Sequence, residues 1–153
     1  MYTFFKGGIF SNWTHSLFKI DGIQFVCVEQ YMMYKKAIMF NDLEVAAKIL
    51  KTFNPMSTKM LGRSVKNFDP KIWDQHKIQI VTDACLAKYS QNKDMLRHLI
   101  ITKGEIVESS LRDKVWGNGL SIDDPNRFDS SKWKGQNLLG KVLTNVRETL
   151  RHV

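Results

Sequence analysis

Cysteine, proline and long apolar runs are all scarce in this chain. Only two cysteines occur in 153 residues. Cys27 and Cys85 sit in apolar segments with no CxxC spacing and no histidine-rich neighbourhood. They read as reduced, buried, small hydrophobes rather than as a disulfide or a metal pair. His15, His76, His98 and His152 show no metal-ligand spacing, and no glycine-rich phosphate loop of the P-loop or dinucleotide type is present. No apolar run approaches the roughly 18 residues a membrane span needs, and no basic region leads into an apolar stretch at the N-terminus. A cytoplasmic location without membrane association is therefore expected. Repeats, low-complexity tracts and linkers are also missing. Acidic residues are the scarcer charge, 15 against 23 Lys and Arg, for a formal +8. That excess favours an anionic partner such as a phosphorylated small molecule, a dinucleotide or nucleic acid, although the lysines are spread along the chain.

What is present suits one globular domain over residues 1–153, with 43% hydrophobic and 25% charged residues and enough length to bury a core. Tyr2 to Phe5 is β-prone and closed by Gly7-Gly8. Asp21-Gly22 between Leu17–Ile20 and Ile23–Val28 is a strong hairpin signal. The stretch from Cys27 to Ala37 follows as a helix, with Val28, Tyr31, Met32 and Met39 on its apolar side. Asn41-Asp42-Leu43-Glu44 has capping-box form ahead of a short helix to Leu50. Asn54-Pro55 and Asp69-Pro70 open two more helices, since proline fits a first helical turn. The second, about residues 71–89, is expected to bury Trp73, His76, Ile80, Ala84 and Ala87. A further helix near 93–100, a short strand at 105–108 and a long ordered loop from Asp113 to Lys134 precede the last helix. Leu138, Leu139, Val142, Leu143, Val146 and Leu150 form that helix's inner face. The predicted fold class is α+β, predominantly helical, with a small N-terminal antiparallel hairpin.

Four stretches carry polar groups that a structural role explains poorly. They are Ser11-Asn12-Trp13, Glu29 to Lys36, Ser57 to Arg63, and Asp113 to Gly119 together with Gly135 to Lys141. Glu29, Met33 and Lys36 fall on one helical face, an acid, a thioether and a base. The residues alone leave this open, because a solvated Glu and Lys at the edge of the apolar stripe fit the same spacing.

In their order and spacing the four stretches resemble the YbiA-like N-glycosidases, or NADAR proteins, from Phe5 to Leu150. The resemblance implies a YbiA-like fold and hydrolysis of the C–N bond between a ribose and a base-like amine. It implies neither metal nor cofactor. Such a reaction passes through a cationic, oxocarbenium-like sugar that a carboxylate can stabilise while it orients water. Glu29 and Asp113 match the family's acidic positions and are the two catalytic candidates. Asn12, Trp13, Lys36, Arg63, Trp116, Gly117 and Asn137 are the substrate-binding candidates.

Each has a structural alternative. Glu29 suits a helix first turn and Asp113 a loop cap. Lys36 and Arg63 could make ordinary ion pairs. Trp116 could be core, and Asn12 and Asn137 could fix loop backbone. One departure stands out: the family usually carries His after the glutamate, where this chain has Gln30, which can still orient water or substrate. Three readings follow. The first is hydrolysis of a phosphorylated ribosyl compound such as a riboflavin-synthesis intermediate. The second is removal of ADP-ribose from modified guanine in DNA or RNA. The third is a module that binds ADP-ribose without turnover.

Overall fold

Asp21 and Gly22 both take left-handed backbone, φ 52° and 79°, the geometry of a two-residue hairpin turn that matches strand twist. In the computed structural model, which describes residues 1–153, this turn joins two of four short strands. The strands are Tyr2–Phe5 (β1), Phe18–Ile20 (β2), Ile23–Phe25 (β3) and Glu105–Glu108 (β4). Six α-helices and three short 3-10 helices complete the chain, the α-helices being Val28–Met39 (α1), Leu43–Leu50 (α2), Pro55–Arg63 (α3), Pro70–Gln91 (α4), Lys93–Ile101 (α5) and Leu138–Arg151 (α6). The fold is α+β and predominantly helical. No helix is long and apolar enough to cross a membrane. The chain divides into two compact units, Asn12–Asn92 and Met1–Ser11 with Lys93–Val153.

In the Asn12–Asn92 unit, α1 is the centre, packed by α2, α3 and α4. Antiparallel pairing places Phe18 opposite Phe25. Their rings stack at 5.8 Å, and Tyr31 of α1 meets Phe25 edge-on at 5.0 Å, which docks the hairpin onto the helix. Gln91 at the end of α4 exchanges both amide groups with the Lys19 backbone, at 2.8 and 2.9 Å, and so covers the hairpin's open edge. Gln30 does comparable work. Its Oε1 accepts from Val26 N at 2.7 Å and its Nε2 donates to the carbonyls of Ile49 and Thr52 at 3.0 and 3.2 Å. The expectation that Gln30 orients water or substrate is thereby corrected, since backbone occupies both ends of its amide.

The helix starts follow the capping signals closely. Asn54 and Asp69 cap α3 and α4, each followed by proline in the first turn. At α2 the N-cap is Asp42, whose Oδ1 accepts from Val45 N at 3.2 Å, while Asn41 adopts φ 56° outside the helix. The motif's Glu44 is exposed and pairs with Lys48 at 3.4 Å rather than closing a reciprocal box. In α4 the inner stripe is Trp73, Ile80, Val81, Ala84, Cys85, Lys88 and Tyr89. His76 is exposed, its Nδ1 donating to Ile72 O at 2.9 Å, and Ala87 is half-buried.

In the other unit, β1 and β4 pair in parallel, Tyr2 beside Glu105 through Phe5 beside Glu108. Helix α6 packs on β4 with unusual closeness. A Cβ at Gly140 would stand 2.0 Å from the Ile106 carbonyl oxygen, so only glycine permits the approach. Thr144 Oγ1 accepts from Ile106 N at 3.0 Å, satisfying the strand edge with a helical side chain. Leu139, Val142, Leu143 and Val146 are buried on α6 as its pattern requires. Leu138 and Leu150 are half-buried, and Arg147 lies inside, donating to Thr102 O at 2.9 Å.

Candidate active site

Within the Asn12–Asn92 unit, α1 turns Glu29, Met33 and Lys36 to one side. The Glu29 amide donates to Asn12 O at 3.0 Å, which fastens the Asn12-Trp13 loop across the helix start. Glu29 is buried, only 6% exposed, and sits in the first turn, where the helix dipole favours a carboxylate. The solvated-edge alternative for Glu29 is thus excluded. Asn12 is also buried, and its Oδ1 meets no hydrogen-bond donor of the protein. An acceptor in that condition costs about 1–3 kcal/mol unless something supplies a donor.

Two turns along α1, Lys36 is half-buried against aromatic faces, its Nζ 4.2 Å from the Phe68 ring centre and 5.9 Å from that of Trp73. Burial pushes its ammonium below the ordinary lysine range; Glu29 opposes that shift and Arg63 reinforces it. Lys36, Glu29 and Arg63 therefore share one electrostatic environment. Arg63, at the exposed end of α3, makes no ion pair; its Nη1 lies 3.9 Å from Met60 Sδ. Gly62 beside it is buried, and a Cβ there would fall 1.9 Å from Met33 Sδ, so α3 rests directly on the α1 face that carries the candidates. Trp13 is partly exposed, with Lys59 Nζ 5.9 Å from its ring centre.

The other unit holds Asp113, Trp116, Gly117 and Asn137. Asp113 Oδ1 accepts from Val115 N at 3.0 Å and Trp116 N at 2.8 Å, an Asx-type turn that aims the half-buried Trp116. A Cβ on Gly117 would meet Asp113 O at 2.8 Å, and the Gly117 carbonyl accepts from Asn137 N at 2.9 Å. Asn137 is fully buried at φ 52°. Its Oδ1 accepts from Glu108 N at 2.9 Å, and its Nδ2 donates to Ile106 O at 3.1 Å. Its amide thus binds the end of β4 to the start of α6.

The family model for the NADAR domain matches residues 3–151. The chain belongs to the NADAR domain family. Among the most similar relatives, N-glycosidase R617 of Acanthamoeba polyphaga mimivirus is 43% identical over 161 residues, covering 96% of this chain and 95% of the viral protein. Protein irg-1 of Caenorhabditis elegans is 44% identical over 131 residues, covering 84% of this chain and 62% of its own length. The NMR structure of Escherichia coli YbiA aligns with a TM-score of 0.81 at 27% identity, covering 99% of this chain and 85% of that one.

In this NADAR domain, Lys88 and Glu108 stand outside the residues singled out in the sequence, and Asn118 lies within the Asp113–Gly119 stretch without having been given a role. Lys88 is 1% exposed on the inner stripe of α4, and burial lowers its pKa from 10.5 to about 8. Its signal was available, because it continues the Ala84 row by one turn. Asn118 is fully buried; its Oδ1 accepts from Leu120 N at 3.0 Å, while its Nδ2 meets no acceptor. Glu108 ends β4 between two anchors, its N–H donating to Asn137 Oδ1 and its carbonyl accepting from Asn118 N at 2.8 Å. Strand propensity gave no hint of Glu108's anchoring role, which depends on contacts across the loop. No group of three or more His, Cys, Asp or Glu is arranged to hold a metal ion.

Proposed function

We propose that this NADAR protein is an N-glycosidase that hydrolyses the C–N bond between a phosphorylated ribose and a base-like amine, such as a phosphoribosylamino intermediate of riboflavin synthesis. One observation carries the reading: a buried carboxylate, Glu29, shares its environment with the partly desolvated Lys36 and with Arg63. Cationic charge developing at C1′ as the bond breaks is what a buried carboxylate stabilises most strongly. The bonding pair leaves with the nitrogen, which takes up a proton from solvent, and the proton that Glu29 later accepts returns to solvent. Water adds to C1′ and gives its proton to Glu29. Asn12 Oδ1 is suited to accept from a ribose hydroxyl, and Arg63 to hold phosphate through its planar fork. In the other unit, Asp113 orders the turn that carries Trp116, a ring of the kind that stacks on a base. Asp113 is the second acidic candidate, and Asn137 and Gly117 act by fixing the loop that carries it.

A second reading, release of ADP-ribose from modified guanine in nucleic acid, is favoured by the exposure of Arg63, which leaves room for a larger phosphate-bearing ligand. Incubating pure protein with both substrate classes and detecting the freed base by mass spectrometry tests the two together. Glu29→Gln is expected to lower the rate by about 10²–10⁴-fold with the fold intact. Unchanged turnover in a folded Glu29→Gln protein removes Glu29 from the mechanism.

A further inference from the structure

Two strand edges of the fold are closed by side chains, that of β2 by Gln91 and that of β4 by Thr144 and Asn137. The edge of β1 is different. Glu105 N donates to Met1 O at 3.0 Å and Ser109 N to Phe5 O at 2.8 Å. With Tyr2 beside Glu105 and Phe5 beside Glu108 in parallel register, this phase turns the backbone of Thr3 and Phe5 toward β4. The N–H and C=O groups of Tyr2 and Phe4 therefore point the other way, and no group of the chain bonds to them. Neither a proline nor a covering side chain blunts this edge.

Pairs of rings stand along the same margin. Tyr2 and Phe4 share one face of β1. The Trp133 ring centre lies 5.3 Å from that of Tyr2, and the Phe128 ring centre 5.5 Å from that of Phe4. Phe128 is 63% exposed, with the Arg127 guanidinium 4.3 Å from its ring centre. Opposite charges mark the two ends of the strand. Lys6 is exposed just past Phe5, and Glu105 is half-buried beside Tyr2; neither makes an ion pair.

We propose that the outer edge of β1 pairs antiparallel with the same edge of a second copy of this chain, with Thr3 on the two-fold axis. In that register Tyr2 of each copy lies opposite Phe4 of the other, and the outward N–H and C=O groups of both residues exchange hydrogen bonds. A register shifted by one residue would oppose outward to inward groups, and one shifted by two would leave half of them unpaired. The two-stranded sheets join into one, in the order β4-β1-β1-β4. Rings continue across the axis, Trp133 and Tyr2 of one copy against Phe4 and Phe128 of the other, a cross-strand aromatic pairing. Lys6 of each copy comes to the strand end where Glu105 of the other stands. An unrelated peptide would satisfy the backbone groups; a second β1 matches backbone, rings and charges together.

Sedimentation equilibrium over protein concentrations from about 1 to 500 µM tests this. The wild type is expected to pass from monomer to dimer with a Kd of about 10–100 µM, because a short edge between chains of charge +8 makes a weak contact. Tyr2→Pro removes an outward donor from each copy and no bond to β4, and should weaken the dimer by about tenfold or more. Thr3→Lys and Thr3→Glu each set like charges against one another on the axis and should leave the separate proteins monomeric. An equimolar mixture of the two should recover the dimer, which also shows that both variants are folded. The proposal is overturned by any of three results: a wild type that stays monomeric throughout, a Tyr2→Pro protein that dimerises unchanged, or a mixture of Thr3→Lys with Thr3→Glu that associates no better than either alone.

Discussion

Replacing Lys88 by methionine should stabilise the protein in a pH-dependent manner. The ammonium is 1% exposed, and burial depresses its pKa from 10.5 to about 8. At about 1.4 kcal/mol per pH unit, a charged Lys88 costs the folded state about 3 kcal/mol. Below pH 8 both folded and unfolded chains carry the proton, so the cost is complete and constant. Between pH 8 and 10.5 the unfolded chain holds a proton that the folded chain has released, and stability rises. Cys85 works in the opposite sense. Burial pushes its thiol from 9.0 up to about 12, so its contribution is complete below pH 9 and is lost as the pH climbs. Cys27 is raised too, chiefly by burial. The wild-type profile alone will therefore look flattened, and the comparison between the two proteins isolates the lysine. Urea unfolding at several pH values should find Lys88→Met more stable by about 3 kcal/mol at pH 7, an advantage that shrinks by about 1 kcal/mol at pH 9. A difference that does not change between pH 7 and 9 would show that Lys88 does not titrate in this range, and the argument from burial would fail.

Other outcomes follow from single contacts. Arg63→Ala should weaken binding of a phosphorylated ligand far more than of its dephosphorylated form, by calorimetric titration; equal loss for both would make Arg63 structural. Gly140→Ala sets a methyl group against the Ile106 carbonyl and should cost about 1–3 kcal/mol in chemical denaturation; an unchanged midpoint would mean that α6 and β4 separate freely. Asn137→Ala strands Glu108 N and Ile106 O and should destabilise by about 1–3 kcal/mol for each group left unpaired, again read by urea unfolding. A loss below that range would mean that water replaces the amide.

Features that depend on neighbours within a few residues were legible in the chain itself. The Asp21-Gly22 turn, the Asn54-Pro55 and Asp69-Pro70 helix starts and the inner side of α6 rest on local sterics, capping and helical period. Those forces act over one or two turns and leave a mark in residue spacing. The Glu29–Met33–Lys36 face was visible for the same reason, but the burial of Glu29 was not. Only tertiary packing decided that the Asn12 loop and α3 cover this side of α1. The parallel pairing of β1 with β4 joins segments about a hundred residues apart, and short strands carry no label for so distant a partner. Asn137 illustrates the limit: its sequence neighbours suggest a helix start, while its function in the fold is to satisfy two backbone groups of β4. In α4, a shift of one residue in the phase of the stripe turned His76 outward and Lys88 inward, a choice that apolar spacing leaves undetermined and the surrounding helices make.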